Sequence, residues 1–277
     1  MRGVLRAFIG GSCGLALAMI AGTASAQTST LTDWQNSSGI VMRPLGGPVP
    51  DWQVTVGGGV AAIPAYEGSN EQRVSPAPTV DIRYKDLAYL SIGEGIGVNI
   101  FRGTNYRAGI GLAFDYGREH NAATRLAGTG NIDPAPVFKA FVQYAFVPVV
   151  VSVDVKQALT SYQGLTADIG AYMPVVANEK VQIFVGPQVT FADSRYMQAY
   201  FGIDPGNTSA QSNFHNYSAS GGLKDAKLGI TGLYHINDHW LIDGDLGVER
   251  LLGSATGSPI VQTEWGWTVA ATLNYTF

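Results

Sequence analysis

The last thirteen residues of the chain alternate without a slip: Trp265, Trp267, Val269, Ala271, Leu273, Tyr275 and Phe277 share one parity, Gly266, Thr268, Ala270, Thr272, Asn274 and Thr276 the other. Successive side chains of a strand point to opposite faces. The segment therefore has one wholly apolar face and one small, polar face. A strand of a water-soluble sandwich also alternates, but its polar face usually carries Lys and Glu, and it needs no aromatic ring at each end. Tyr and Trp rings favour the headgroup level of a bilayer, and strands that cross a membrane as a closed barrel carry an apolar band between two aromatic girdles.

The same arithmetic recurs upstream. Tyr106, Ala108, Ile110, Leu112, Phe114 and Tyr116 oppose Arg107, Gly109, Gly111, Ala113, Asp115 and Gly117, and residues 149–156 and 165–172 alternate likewise. Further strands are read at 52–62, 74–84, 87–92, 96–101, 138–146, 181–191, 227–236 and 240–248, which makes twelve. Tight turns at Lys85-Asp86, Arg102 to Asn105, Val147-Pro148, Ala177 to Glu179 and Asn237-Asp238 contrast with long loops such as Arg118 to Ala135 and Asp193 to Gly222. Barrels of this class put short turns on the periplasmic side and long loops outside. With both chain ends periplasmic, every second connection must be short, and this holds only if the chain reverses at Gly93-Glu94-Gly95. The strands flanking that reversal are short for a crossing of ~9–11 residues. The expected fold is all-β, a transmembrane antiparallel up-and-down β-barrel of twelve strands over residues 51–277; ten strands is the alternative.

The start of the chain reads as an address. Arg2 and Arg6, an apolar run from Ile9 to Ala21, and the small-x-small signature Ala24-Ser25-Ala26 predict a signal peptide over residues 1–26, cleaved after Ala26. Cys13 precedes the apolar core and does not fit a lipidation site. Residues 27–50, rich in Ser, Asn, Gly and Pro without periodicity, read as a periplasmic tail. Removing the leader leaves 15 basic against 21 acidic residues and no cysteine. Disulfides and thiolate sites are thereby excluded, and the acidic balance argues against nucleic acid as a partner. Gly 35, Tyr 13 and Trp 5 with only 14% charge do not suit a soluble helical enzyme.

Several constellations invite chemistry. Asp81, Arg83, Lys139, Asp154, Lys156, Asp168, Asp243, Asp245 and Glu249 all take the polar parity of their strands and are expected to line the lumen. Paired lumenal charges more often knit a small barrel together than conduct ions, so an ion-pair network is preferred to a selective pore. His235 and His239 have the spacing of metal ligands on a helix, but the Asn237-Asp238 turn separates them. No G-x-S-x-G elbow is present, and the glycine clusters lack a following Lys, so no catalytic set, cofactor or metal site is assigned. The loop 193–222 holds Tyr196, Met197, Tyr200, Phe201, Phe214 and Tyr217. Exposed aromatics on this scale fold inward as a plug or lid, or meet a partner; the plug is preferred because it hides the apolar area.

The loop sequences resemble the MipA/OmpV family of outer-membrane proteins. The residues that carry the likeness are PAYEGSN (Pro64 to Asn70), GIGVNIF (Gly95 to Phe101), FDYGRE (Phe114 to Glu119), FADSRYMQAYFGI (Phe191 to Ile203), GGLKDAKLG (Gly221 to Gly229), DHW (Asp238 to Trp240), RLLGSATGSPIV (Arg250 to Val261) and the terminal Tyr275-Thr276-Phe277. Where the family has an acid in G-D-A-x-x-S-P-I, this chain has Ser254. The resemblance implies a non-enzymatic outer-membrane scaffold of a Gram-negative cell, holding a lytic transglycosylase and a bifunctional penicillin-binding protein at the peptidoglycan. In other members it implies a surface antigen or adhesin. A small channel and, less favoured, a lipid hydrolase are the competing readings. Leu273, Tyr275 and Phe277 are expected to present the terminal strand to the barrel-assembly machinery.

Overall fold

In the computed structural model, which describes residues 51–204 and 214–277, twelve antiparallel strands close into one barrel in sequence order. They are β1 (Trp52–Pro64), β2 (Gln72–Tyr84), β3 (Ala88–Ser91), β4 (Gly95–Arg102), β5 (Tyr106–Asp115), β6 (Ala135–Phe146), β7 (Val149–Ala158), β8 (Leu165–Ala177), β9 (Val181–Ala192), β10 (Gly222–His235), β11 (Trp240–Leu251) and β12 (Trp265–Thr276). The ten-strand alternative fails because the chain does reverse at Gly95, where φ is +78° and a Cβ would press on the Leu112 carbonyl at 2.1 Å. The expected leader, with Ala24 and Ala26, and the expected tail 27–50 lie outside the described residues.

Alternation decides which way each residue faces. Outward positions are apolar and exposed, as at Val60, Ile96, Leu112, Leu246 and Trp267, whereas inward positions such as Ala61, Asn99, Lys139 and Thr268 are buried. Rings gather at the two edges of the outward band. Trp52 packs on Tyr84, Tyr144 on Phe146 and Trp240 on Tyr275 at the short-turn end; Phe114 packs on Tyr116 at the long-loop end.

Closure occurs between β1 and β12, in register from Thr55↔Thr276 to Ala62↔Val269. Gly59 makes that seam possible, since a Cβ there would stand 1.8 Å from the Ala271 carbonyl oxygen. The short turns are fixed locally. Lys85 and Asp86 adopt φ of +48° and +52°, the primed geometry that matches hairpin twist. Asn178 and Asn237 each accept from two backbone N–H groups of their own turns.

Candidate functional site at the plugged mouth

The loop after β9 does not stay a loop. Asp193 caps a helix, α1 (Ser194–Phe201), by accepting from the Tyr196 N–H at 2.8 Å. Tyr196, Met197, Tyr200 and Phe201 recur at the spacing of one helical face, and all four are buried. That face turns down into the barrel mouth, where it joins Ile132, Ala192, Ala219, Leu251 and Ala255. Tyr196 stacks on Tyr200 at 4.4 Å, and the Tyr162 ring stands edge-on to both.

Polar contacts lock the helix in place. The Tyr200 hydroxyl donates to the Asp115 carboxylate, whose oxygens lie 2.9 and 2.8 Å away, and the Tyr162 hydroxyl donates to the same group. Burial, and then the Asp115 charge, push the Tyr200 hydroxyl well above the ordinary tyrosine range. At the other end, Arg118 donates to the Tyr200 carbonyl at 2.6 Å and Ser258 to the Phe201 carbonyl at 2.5 Å. The last carbonyls of a helix lack internal partners and favour a cation nearby. Arg118 meets both needs, at the cost of burial that lowers its own pKa. Tyr66, from the β1–β2 loop, donates to the Ile260 carbonyl at 2.7 Å; burial pushes it up to about 12. Three further loops are thus tied over α1. Above it lies an open bowl of about 600 Å³ lined by Asn131, Tyr162, Arg195, Gln198 and Asp204.

Beneath the helix sits a buried charge cluster. Lys224 is fully buried, 2.6 Å from Glu67 and 2.8 Å from Asp225, with its ammonium 5.4 Å from the centre of the Tyr196 ring. Lys227 approaches Glu249 at 3.7 Å and Asp225 at 3.9 Å. Carboxylate oxygens of Glu67, Asp225 and Glu249 lie within 4.8 Å of one another, a metal-like spacing. The Lys224 ammonium already serves as the cation among them, so the geometry is that of an ion-pair network. Lys224 and Asp225 are neighbours in sequence yet both point inward, because the register between β9 and β10 slips between Leu223 and Asp225.

The lumen below is crossed by ion pairs. Arg83 pairs with Asp81 at 2.8 Å and with Glu94, Arg107 with Asp86 at 2.8 Å, Lys139 with Asp154 at 3.1 Å, and Lys156 with Asp168 at 3.0 Å. The cavity left among Arg83, Glu94, Arg107, Lys139 and Asp154 is small, about 30 Å³. Asp245 accepts from Thr231 at 2.7 Å, and Asp243 lies two residues away on the same inward face.

Of the residues singled out in the sequence, Asp81, Arg83, Lys139, Asp154, Lys156 and Asp168 meet in one lumenal layer, while Glu249 belongs to the cluster under α1. Leu273, Tyr275 and Phe277 face outward at the short-turn end, and the Phe277 N–H donates to the Val54 carbonyl at 2.9 Å. His239 stacks on Tyr275, and its Nδ1 lies 2.9 Å from the Thr276 carbonyl oxygen. Sequence reasoning missed Glu67, Asp86, Glu94, Arg107, Lys224 and Asp225. Arg107 was legible from its polar parity; Lys224 was hidden by the bulge, and Glu67, Asp86 and Glu94 lie in connections, where parity does not apply.

The family described as MltA-interacting protein MipA matches residues 56–277. Outer membrane protein Omp26La of Vibrio anguillarum is 31% identical over 106 residues, 38% of this chain and 40% of that protein. Outer membrane protein OmpV of Vibrio cholerae is 33% identical over 89 residues, 32% of this chain and 34% of that protein. The matched segment therefore spans well under half the length of either relative. Among solved structures, a bacterial polysaccharide outer membrane secretin aligns with a TM-score of 0.39 at 9% identity, covering 83% of this chain and 99% of that one.

Proposed function

Because the chain belongs to the MltA-interacting protein MipA family and is an outer-membrane β-barrel, we propose that it is a non-enzymatic scaffold of the outer membrane. In this reading its leader is cleaved after Ala26, its short turns face the periplasm, and its periplasmic rim holds a lytic transglycosylase. A bifunctional penicillin-binding protein is the second partner. The observation that carries the reading is the family match over residues 56–277. The interior supports it further: ion pairs bridge the lumen, about 30 Å³ remains in the layer of Arg83, Glu94 and Lys139, and the buried face of α1 packs into the mouth. A barrel so filled offers its rims, rather than its interior, for work on other molecules.

The test uses photo-crosslinking residues placed at Glu179 and Asp238 on the short-turn rim, and at Asn121 in the long loop after β5. The scaffold reading expects a lytic transglycosylase to be captured from the rim positions and not from Asn121. Capture from none of the three, together with unit conductance steps in planar bilayers, would replace the scaffold by a small channel.

A further inference from the structure

The bowl above α1, about 600 Å³, is of the size that small-molecule sites have. Its lower part is apolar, formed by buried Ile132 and Ala219, by Ala199 and by the half-buried Tyr162 ring. The Tyr162 hydroxyl is turned away to Asp115, so the bowl meets the ring and not its polar end. The rim is polar and exposed at Asn131, Ser161, Ser194, Arg195 and Asp204.

The walls are held in place. Besides the contacts that lock α1, Gln198 donates to Asp204 at 2.8 Å and accepts from the Ala219 N–H at 2.9 Å. Asn131 Oδ1 accepts from the His120 N–H at 2.9 Å, which leaves the Asn131 amide N–H groups as donors without a partner among the described residues. A site whose groups are fixed beforehand spends little ordering entropy on a ligand.

Arg195 stands out on this rim. Its guanidinium makes no ion pair, hydrogen bond or ring contact among the described residues. It occupies the second position of α1, where a cation opposes the helix dipole. The nearby Asp193 carboxylate is engaged as the helix cap. Residues 205–213 carry no ionisable side chain and so bring no carboxylate to Arg195, and the chain before Asp51 joins the barrel at the opposite, short-turn end. A cation placed against the helix and without an acid is suited to an anion from outside.

The other rim groups narrow the class. The guanidinium fork matches a carboxylate, and the Asn131 amide with the Ser161 and Ser194 hydroxyls offers further donors for oxygen atoms, while Asp204 can accept from a hydroxyl. The floor calls for an apolar face. A bare anion would leave that floor uncovered, a neutral sugar would leave Arg195 unpaired, and an apolar ligand would strand the rim groups without partners.

We propose that the bowl binds an acidic sugar, a pyranose that bears a carboxylate. The carboxylate lies on Arg195, the ring hydroxyls meet Asn131 and the rim serines, and the C–H face of the ring covers Tyr162 and Ala199. The site is on the long-loop end and is independent of any partner at the short-turn rim.

The full chain in detergent micelles is titrated with D-glucuronic acid, D-glucose and acetate, and binding is read by saturation-transfer NMR from protein to ligand. Glucuronate is expected to bind about tenfold or more tightly than either glucose or acetate, the margin of a charge-assisted hydrogen-bonded pair. R195Q should bring glucuronate down to the level of glucose. A199F, which fills the floor and keeps every charge, should abolish binding, whereas R125Q, at the same mouth but outside the bowl, should leave it intact. Equal binding of acetate means an anion site that does not read the sugar, equal binding of glucose means that the charge is not read, and equal loss in R125Q means a diffuse surface field. Each of these overturns the proposal, as does no binding of glucuronate or full binding by both R195Q and A199F. Heat-modifiable gel mobility establishes that each variant is folded, and the two bowl variants report separately should one of them fail.

Discussion

At the scale of single residues, Lys224 carries the greatest electrostatic weight. Its ammonium is fully buried and satisfies Glu67 and Asp225 at once. Removing one member of a buried ion pair leaves an uncompensated charge and typically costs about 3–5 kcal/mol. Lys224→Met is therefore expected to lower the temperature at which the barrel loses its fast gel mobility. Adding Glu67→Gln and Asp225→Asn should recover much of the loss, because no charge is then stranded. If the single variant keeps the wild-type transition, the cluster contributes little. Tyr66 offers a pH-dependent counterpart. An unfolded tyrosine loses its proton near pH 10, whereas buried Tyr66 holds it up to about 12. Between these values the unfolded chain binds fewer protons, so the mouth loses stability as pH rises from about 10 to about 12 and is unaffected below. Tyrosinate absorbance followed against near-ultraviolet dichroism should show that loss, and Tyr66→Phe should reduce it.

Among the elements, β12 and α1 show how differently two segments are specified. β12 alternates without interruption and is followed by Phe277, whose ring meets Tyr275 at 4.9 Å and is otherwise exposed. Deleting Phe277 removes apolar burial worth at most about 1.5–3 kcal/mol, modest for a barrel whose terminal strand is bonded on both sides. If the terminal strand is what the assembly machinery reads, the deletion gives strongly reduced outer-membrane levels with near-normal heat stability in the molecules that insert. Normal levels would end the assembly role, and an equal loss of heat stability would assign the ring to packing. The helix α1 is specified otherwise: Asp193 starts it, but Asp115 and Arg118 from the end of β5 and its loop, and Ser258 from the β11–β12 connection, hold it down.

For the whole molecule, connection lengths lead one to expect the long loops outside and the short turns in the periplasm. An epitope inserted at Asn121, exposed in the long loop after β5, should be reached by antibody on intact cells, while one at Asn237-Asp238 should be reached only after permeabilisation; the reverse labelling would invert the barrel. The sequence by itself determined the antiparallel strands of a barrel and their polar lining, with twelve strands preferred to ten, because alternation is a local property of each strand and an apolar outward face admits one orientation; the structure decided for twelve. Even the reversal at Gly95 was legible, from the need for every second turn to be short. The tertiary structure alone decided the rest. Lys224 and Glu67 stand 157 positions apart, and their meeting depends on a bulge that breaks the alternation and on the β1–β2 loop folding back across the mouth. Tyr162 and Tyr200 converge on Asp115 only when three loops are brought over one opening. Facing is set residue by residue along the chain, whereas contact between distant segments is set by register and closure of the whole sheet.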